Sequence, residues 1–73
     1  KFVMQEFFIS VDLIELVKLL KLSGWAATGG HAKIMVDNGE VLLNGKREFR
    51  KKAKIRPGDI VEIPGGKMVL RKK

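Results

Sequence analysis

The chain has no cysteine, one histidine and no apolar run long enough to cross a bilayer. Without cysteine, neither a disulfide nor a thiolate zinc site can support the fold, so packing must hold it together; such a composition suits a reducing cytoplasm. A single histidine, His31, has no second imidazole with which to hold a metal, and it limits general acid–base chemistry near neutral pH. No spacing suggests a carboxylate pair, a Ser/His/Asp set or a Cys/His set, so neither catalysis, nor a cofactor, nor a small-molecule substrate is expected. The longest apolar stretches are broken by Lys, Glu or Gly well short of the roughly 20 residues of a membrane helix, and none has the pattern of a signal peptide.

What the chain does have is one-signed charge in one place. Residues 44–56 (NGKREFRKKAKIR) hold seven of the fifteen basic side chains and one acid, Glu48, for a local net charge of +6 in a chain of net +7. Residues 1–43 sum to −1, residues 57–66 to −2 and residues 67–73 to +4. A near-neutral body thus carries a basic band and a basic tail. Charge concentrated in this way raises the local potential and attracts a polyanion, and a nucleic-acid backbone is the leading candidate.

With 73 residues the chain fits one domain, residues 1–73. A domain of that size buries only about 60% of its unfolded surface. Residues 2–9 (FVMQEFFI), rich in aromatic and branched side chains, read as a strand. Ser10 reads as an N-cap, and Leu13, Ile14, Leu16, Val17 and Leu20 recur at steps of three and four, which predicts an amphipathic helix over 11–22 that stops at Ser23-Gly24. Asp12 and Glu15 early and Lys18 and Lys21 late match the dipole of such a helix. Trp25-Ala26-Ala27 leads to Thr28, a second N-cap, and Ala32, Met35 and Val36 predict a shorter helix ending at Asn38-Gly39. After Gly39 the period changes. Residues 41–43, 60–63 and 68–70 are short strand candidates between turn signals at Asn44-Gly45, Pro57-Gly58-Asp59 and Pro64-Gly65-Gly66. The expected fold is α+β, with two N-terminal helices on a small, mostly antiparallel sheet of short strands.

The segment LVKLLKLSGWAATGGHAKIMVDNGEVLLNGK followed by KIRPGDIVEI resembles the S4 RNA-binding domain, or αL motif, over about residues 13–63. Thr28-Gly29-Gly30-His31-Ala32-Lys33 together with Arg50-Lys51-Lys52 is similar to the small stand-alone bacterial members, of the YaaA and YbcJ type. The resemblance implies an RNA-binding module, here standing alone; ribosomal or transfer RNA is the expected ligand and a monomer the expected state. It implies that RNA is approached by Thr28, Gly30, His31 and Lys33 on the second helix and by Asn44, Lys46, Arg47, Arg50, Lys51, Lys52 and Lys54 beyond it. Many members have an Arg after the capping residue; here that place is Gly29, a change shared by the stand-alone subgroup.

The residues support that reading independently. A helix N-terminus offers free N–H groups and partial positive charge, and Gly29 and Gly30 present no side chain to an approaching phosphate. Lys33 lies one turn in and is expected to share a face with residues 50–52. Each feature also has a plainer account. The glycines can be a flexible helix entry and the charge run a solvated face. Trp25 reads as a core plug, Phe49 as an anchor of the basic strand with base stacking as its alternative, and Asp59 as a turn cap. A different class of function is suggested by VLLNGK and PGDIVEIPGG, which look similar to the end of a ubiquitin-like sulfur carrier. Gly65-Gly66 is followed by seven more residues, though, so a hairpin turn is the simpler account. Binding to an anionic membrane is disfavoured because no exposed apolar helix face interleaves with the basic residues.

Overall fold

The computed structural model describes residues 4–73, so the first residues of the strand expected over 2–9 lie outside the described residues. The chain runs β1 (Gln5–Ile9), β2 (Ile14–Glu15), α1 (Leu16–Leu22), α2 (Gly29–Asp37), β3 (Leu42–Leu43), β4 (Lys46–Arg47), β5 (Lys54–Ile55), β6 (Ile60–Ile63) and β7 (Gly66–Lys72). One sheet has the order β1-β7-β6-β3-β4, and β2 pairs with β5 in a second. All pairings are antiparallel except β1 with β7, which runs parallel from Gln5 opposite Met68 to Ile9 opposite Lys72. This is the α+β arrangement of two helices on a mostly antiparallel sheet that the sequence implies.

One core joins the layers. Leu16, Leu19 and Leu20 of α1 meet Ala32, Met35 and Val36 of α2, and the same cluster takes in Val41 before β3, Val61 of β6 and Met68 and Leu70 of β7. Ile14 and Ile55, facing partners in β2 and β5, close one edge of the same cluster.

The first helix differs from expectation. It begins at Leu16 and not at residue 11, its N-cap is Glu15, and no side chain caps it. Ser10 therefore has no capping role. The physical reason is that residues 14 and 15 are extended against β5, and the first helical N–H groups find backbone acceptors: Leu16 N donates to the Ala53 carbonyl (2.9 Å) and Val17 N to the Lys51 carbonyl (3.1 Å). Val11 and Leu13, which the spacing placed on the helix, are exposed. Asp12 instead bonds Lys72, whose hydrogen bond and charge hold its carboxyl below the ordinary range.

The second helix follows expectation. Thr28 caps it, and Ala32, Met35 and Val36 form its buried face. Past its end Gly39 takes a left-handed φ of 70°, which lets Gly39 N reach the Val36 carbonyl and Glu40 N the Met35 carbonyl, both at 3.1 Å. That double closure satisfies two of the free carbonyls at the helix end. Asn44 and Gly45 also have positive φ, 52° and 87°, the two-residue turn that suits a twisted hairpin, here β3 to β4. Pro64 and Gly65 make the β6–β7 turn, with Ile63 opposite Gly66, so the Gly-Gly pair belongs to a hairpin and the likeness to a carrier's terminal glycines has no structural counterpart.

Trp25 fills the space between the helix connection and the sheet, half-buried against the core as expected. A Cβ at Gly66 would lie 3.0 Å from its Cζ2 and 3.2 Å from its Cε2, whereas one at Gly29 would meet nothing within 4 Å. Gly66→Ala is accordingly expected to lose about 1–3 kcal/mol of stability through overpacking. Gly29→Ala, at the first helical position, is expected to be neutral or slightly stabilising. Urea denaturation followed by Trp25 fluorescence checks both; equal stability of the two variants would contradict this packing.

Candidate nucleic-acid interface

The start of α2 is an ordered, open cradle of backbone N–H groups. Thr28 Oγ1 accepts from His31 N (3.0 Å), and the His31 ring turns back so that Nδ1 accepts from Ala27 N (3.1 Å). The imidazole stands where Glu or Gln usually closes such a cap, but it reaches the N–H of Ala27, one residue before the N-cap Thr28. His31 thus fixes the helix entry, and its Nε2 edge is the part left for solvent or a ligand. Among the described residues the N–H groups of Gly29 and Gly30 have no bonded partner, and the only side-chain atom near a Cβ at either position is Thr28 Oγ1, at 3.8 Å from position 30. The exposed face of α2 continues through Lys33 to Asp37, which lie four residues apart and so adjoin on the helix surface.

The basic run comes to that face. Lys51 Nζ bonds Asp37 Oδ1 at 2.8 Å, which sets the turn at 51–52 beside the row that carries Lys33. Asp37 thus ties the run to the C-terminal part of α2, one turn beyond Lys33.

The run itself divides into paired and unpaired cations. Arg50 is held bidentately by Glu48, through Nε to Oε2 (3.0 Å) and Nη2 to Oε1 (3.1 Å), and Glu48 Oε2 also accepts from Arg50 N (3.0 Å). Lys54 approaches Glu15 at 3.7 Å. Arg47 donates from Nε to the Gly39 carbonyl (3.1 Å), a favourable place for a cation beyond the end of α2. Among the described residues, Lys33, Lys46, Lys52 and Arg56 have no acidic partner. Sequence reading left Arg56 out of the candidate set although it belongs to the same run. In the tail Arg71 and Lys72 are paired with Glu6 and Asp12.

Asn44 is placed by the structure in a turn knot. Its Oδ1 accepts from Ile60 N (2.8 Å), its Nδ2 donates to Asp59 Oδ1 (3.1 Å), and Asp59 Oδ2 accepts from Arg56 N (2.8 Å). Asp59 is thus the turn cap expected of it, and Asn44 joins two turns and thereby positions Lys46 and Arg56, one on each side of the knot. Phe49 departs from expectation: it is 59% exposed and does not anchor the strand in the core. The segment's inward-pointing side chain is Glu48, 13% exposed, because Glu48 N continues the strand pairing to the Val41 carbonyl.

A groove of about 690 Å³ lies elsewhere, between β1 and the start of α1, where Phe7, Phe8, Val11, Leu13 and Leu22 line it. Its walls are mainly apolar, and no residue of the basic run contributes. Among the described residues no three His, Cys, Asp or Glu side chains gather where a metal ion could be held, and no helix is long and apolar enough to cross a membrane.

Two helices, a capped glycine-rich helix start and a basic segment brought to its face define the class: the family model for the S4 domain matches residues 7–71, and the chain belongs to that family. Among its relatives, YbcJ of Escherichia coli strain K12 is 44% identical over 52 residues, 71% of this chain and 74% of that protein. RlbA of Bacillus subtilis strain 168, named a probable ribosome maturation protein, is 39% identical over 57 residues, 78% of this chain and 80% of that one. The solution structure of E. coli YbcJ, with an αL motif described as involved in RNA-binding, superposes with a TM-score of 0.72 at 35% identity, covering 96% of this chain and 90% of that chain. The 30S ribosomal protein S4e of Thermoplasma acidophilum superposes with a TM-score of 0.60 at 26% identity over 80% of this chain, which spans 31% of S4e.

Arg50 holds the Glu48 carboxyl below its ordinary range, chiefly through the side-chain bonds and then through the Arg50 N–H. A carboxyl whose pKa is lower in the folded than in the unfolded state stabilises the fold above the unfolded value, and the contribution fades as pH falls through the folded value. Glu48→Gln is therefore expected to lower the urea midpoint at pH 7 and to converge on the parent as pH drops below the ordinary value of 4.5. A deficit that stays constant down to about pH 3 would mean that the carboxylate charge is not what matters.

Proposed function

We propose that this chain is a non-catalytic RNA-binding module, monomeric and cytoplasmic, that takes structured ribosomal or transfer RNA on the surface between the start of α2 and residues 46–56. The observation that carries the reading is the Lys51–Asp37 bond, which draws the basic run to the helix face that begins at Gly29 and Gly30 and includes Lys33. An RNA phosphate seated on the two glycine N–H groups has the helix dipole behind it and Lys33 one turn away. Lys46, Lys52 and Arg56 are free to neutralise neighbouring phosphates, since they have no acid to leave. Thr28 and His31 keep the cradle's shape, Asn44 fixes the second turn, and Arg47, Arg50, Lys51 and Lys54 border the surface with side chains that already hold internal partners.

The description of the YbcJ αL motif as involved in RNA-binding supports the ligand class, and the name of RlbA supports a ribosomal setting. Contacts of this type position a backbone and do not read bases, so selectivity is assigned to RNA shape.

Affinity for ribosomal and transfer RNA fragments measured across salt tests the proposal. Three to five phosphate contacts correspond to a log–log slope of about −2 to −4. Replacing both Lys33 and Lys52 with Ala is expected to make the slope shallower by about 1.5–2 at unchanged thermal stability. An unchanged slope in a folded double variant would place the binding surface elsewhere.

A further inference from the structure

Phe49 stands out among the exposed apolar side chains. It lies in the most basic part of the chain, between Arg47 and Arg50, and is 59% exposed. A lone exposed ring would mean little. This one is braced: a Cβ on Gly39 would lie 3.3 Å from Phe49 Cε1 and 3.4 Å from Cζ, so one edge of the ring rests on the backbone just past α2. The same Gly39 position is 3.5 Å from Arg47 Cδ, which puts Arg47 and Phe49 on the same side of the strand while Glu48 points inward. The guanidinium groups on either side are fixed as well, Arg47 by the Gly39 carbonyl and Arg50 by Glu48, each with N–H groups left over. An ordered aromatic ring thus lies beside the ordered Arg47, with Arg50 next along the chain held by Glu48.

We infer that Phe49 is a stacking platform for an unpaired nucleobase, with Arg47 beside it directing its remaining donors at the adjoining phosphate. Every base has a π face, so the platform needs no particular sequence, but it needs a base out of its helix. Duplex RNA keeps its bases stacked on one another, whereas loops and bulges can offer one. The inference rests on the RNA-binding reading above and narrows its ligand to RNA with a loop or bulge.

The test uses the full chain with two RNA probes of equal length, a hairpin carrying 2-aminopurine in its loop and a blunt duplex. The parent is expected to bind the hairpin more tightly and to change the 2-aminopurine fluorescence. Phe49→Leu, which keeps an apolar contact with Gly39 but no π face, is expected to lose about fivefold or more in hairpin affinity and to leave duplex affinity unchanged. Phe49→Trp is expected to keep both the affinity and the fluorescence change. If Phe49→Leu binds both probes as the parent does, or weakens both equally, the platform is overturned while RNA binding stands. If the parent binds neither probe at low salt, the RNA-binding reading itself falls and the platform with it.

Discussion

The capping of α1 by backbone from the basic run is the constraint on which the rest of the molecule depends. A seven-residue helix with no side-chain cap has little stability of its own, because nucleation is unfavourable and its first N–H groups lack partners. Leu16 N and Val17 N find the carbonyls of Ala53 and Lys51, and the β2–β5 pairing immediately before them holds the two segments in register. Forming α1 therefore requires residues 51–55 to be in place. The same bonds give the basic run, which would otherwise repel itself into an open loop, a fixed path between the two helices. Ala53 and Ile55 point into the core and their neighbours Lys52, Lys54 and Arg56 point out, so the alternation of small or apolar with basic residues has a direct structural reason.

That path explains the division of charges. Acids supplied by three elements, Glu15 before α1, Asp37 at the end of α2 and Glu48 within the run itself, each take one cation. Exposed ion pairs add little stability, typically under about 1 kcal/mol. Their effect here is positional: Asp37 sets where the 51–52 turn lies, and Glu48 sets where Arg50 points. The cations without partners are the ones whose long-range field is not cancelled nearby. A run of like charge thus has two functions in one stretch of chain, some residues shaping the surface and others giving it its potential.

Much of this was legible in the sequence where local rules decide. Thr28 as a cap, Gly24 and Gly39 as helix ends, Asn44-Gly45 as a hairpin turn and Asp59 as a turn cap all follow from chemistry within a few residues. The start of α1 was not, because Leu13, Ile14 and Leu16 satisfy a helical period while the pairing that keeps Ile14 and Glu15 extended comes from Lys54 and Ile55, far along the chain. For the same reason a count of charges located the basic band but could not separate Lys51 and Lys54 from Lys52, since their partners Asp37 and Glu15 lie outside it. Phe49 was misread because aromatic residues in strands usually face a core. Here the inward place belongs to Glu48, whose carboxylate gathers the Arg50 donors.

The exposure of Phe49 also bears on why the helix start carries glycines. With Gly at positions 29 and 30 the cradle presents backbone only, and backbone N–H groups bind a phosphate without regard to the base attached to it. The cap uses the Thr28 hydroxyl and His31 Nδ1, so neither is free to discriminate among bases. Apart from the free His31 Nε2 edge, any preference beyond charge must come from another part of the surface. In the proposed reading a ring braced on Gly39 is a feature of different kind: it would reward a nucleotide for being unstacked, which neither lysines nor glycine N–H groups can do. In the proposed reading the two ends of the surface are complementary, phosphate taken at the start of α2 and a free base just past its end, and the length of α2 sets the distance between them.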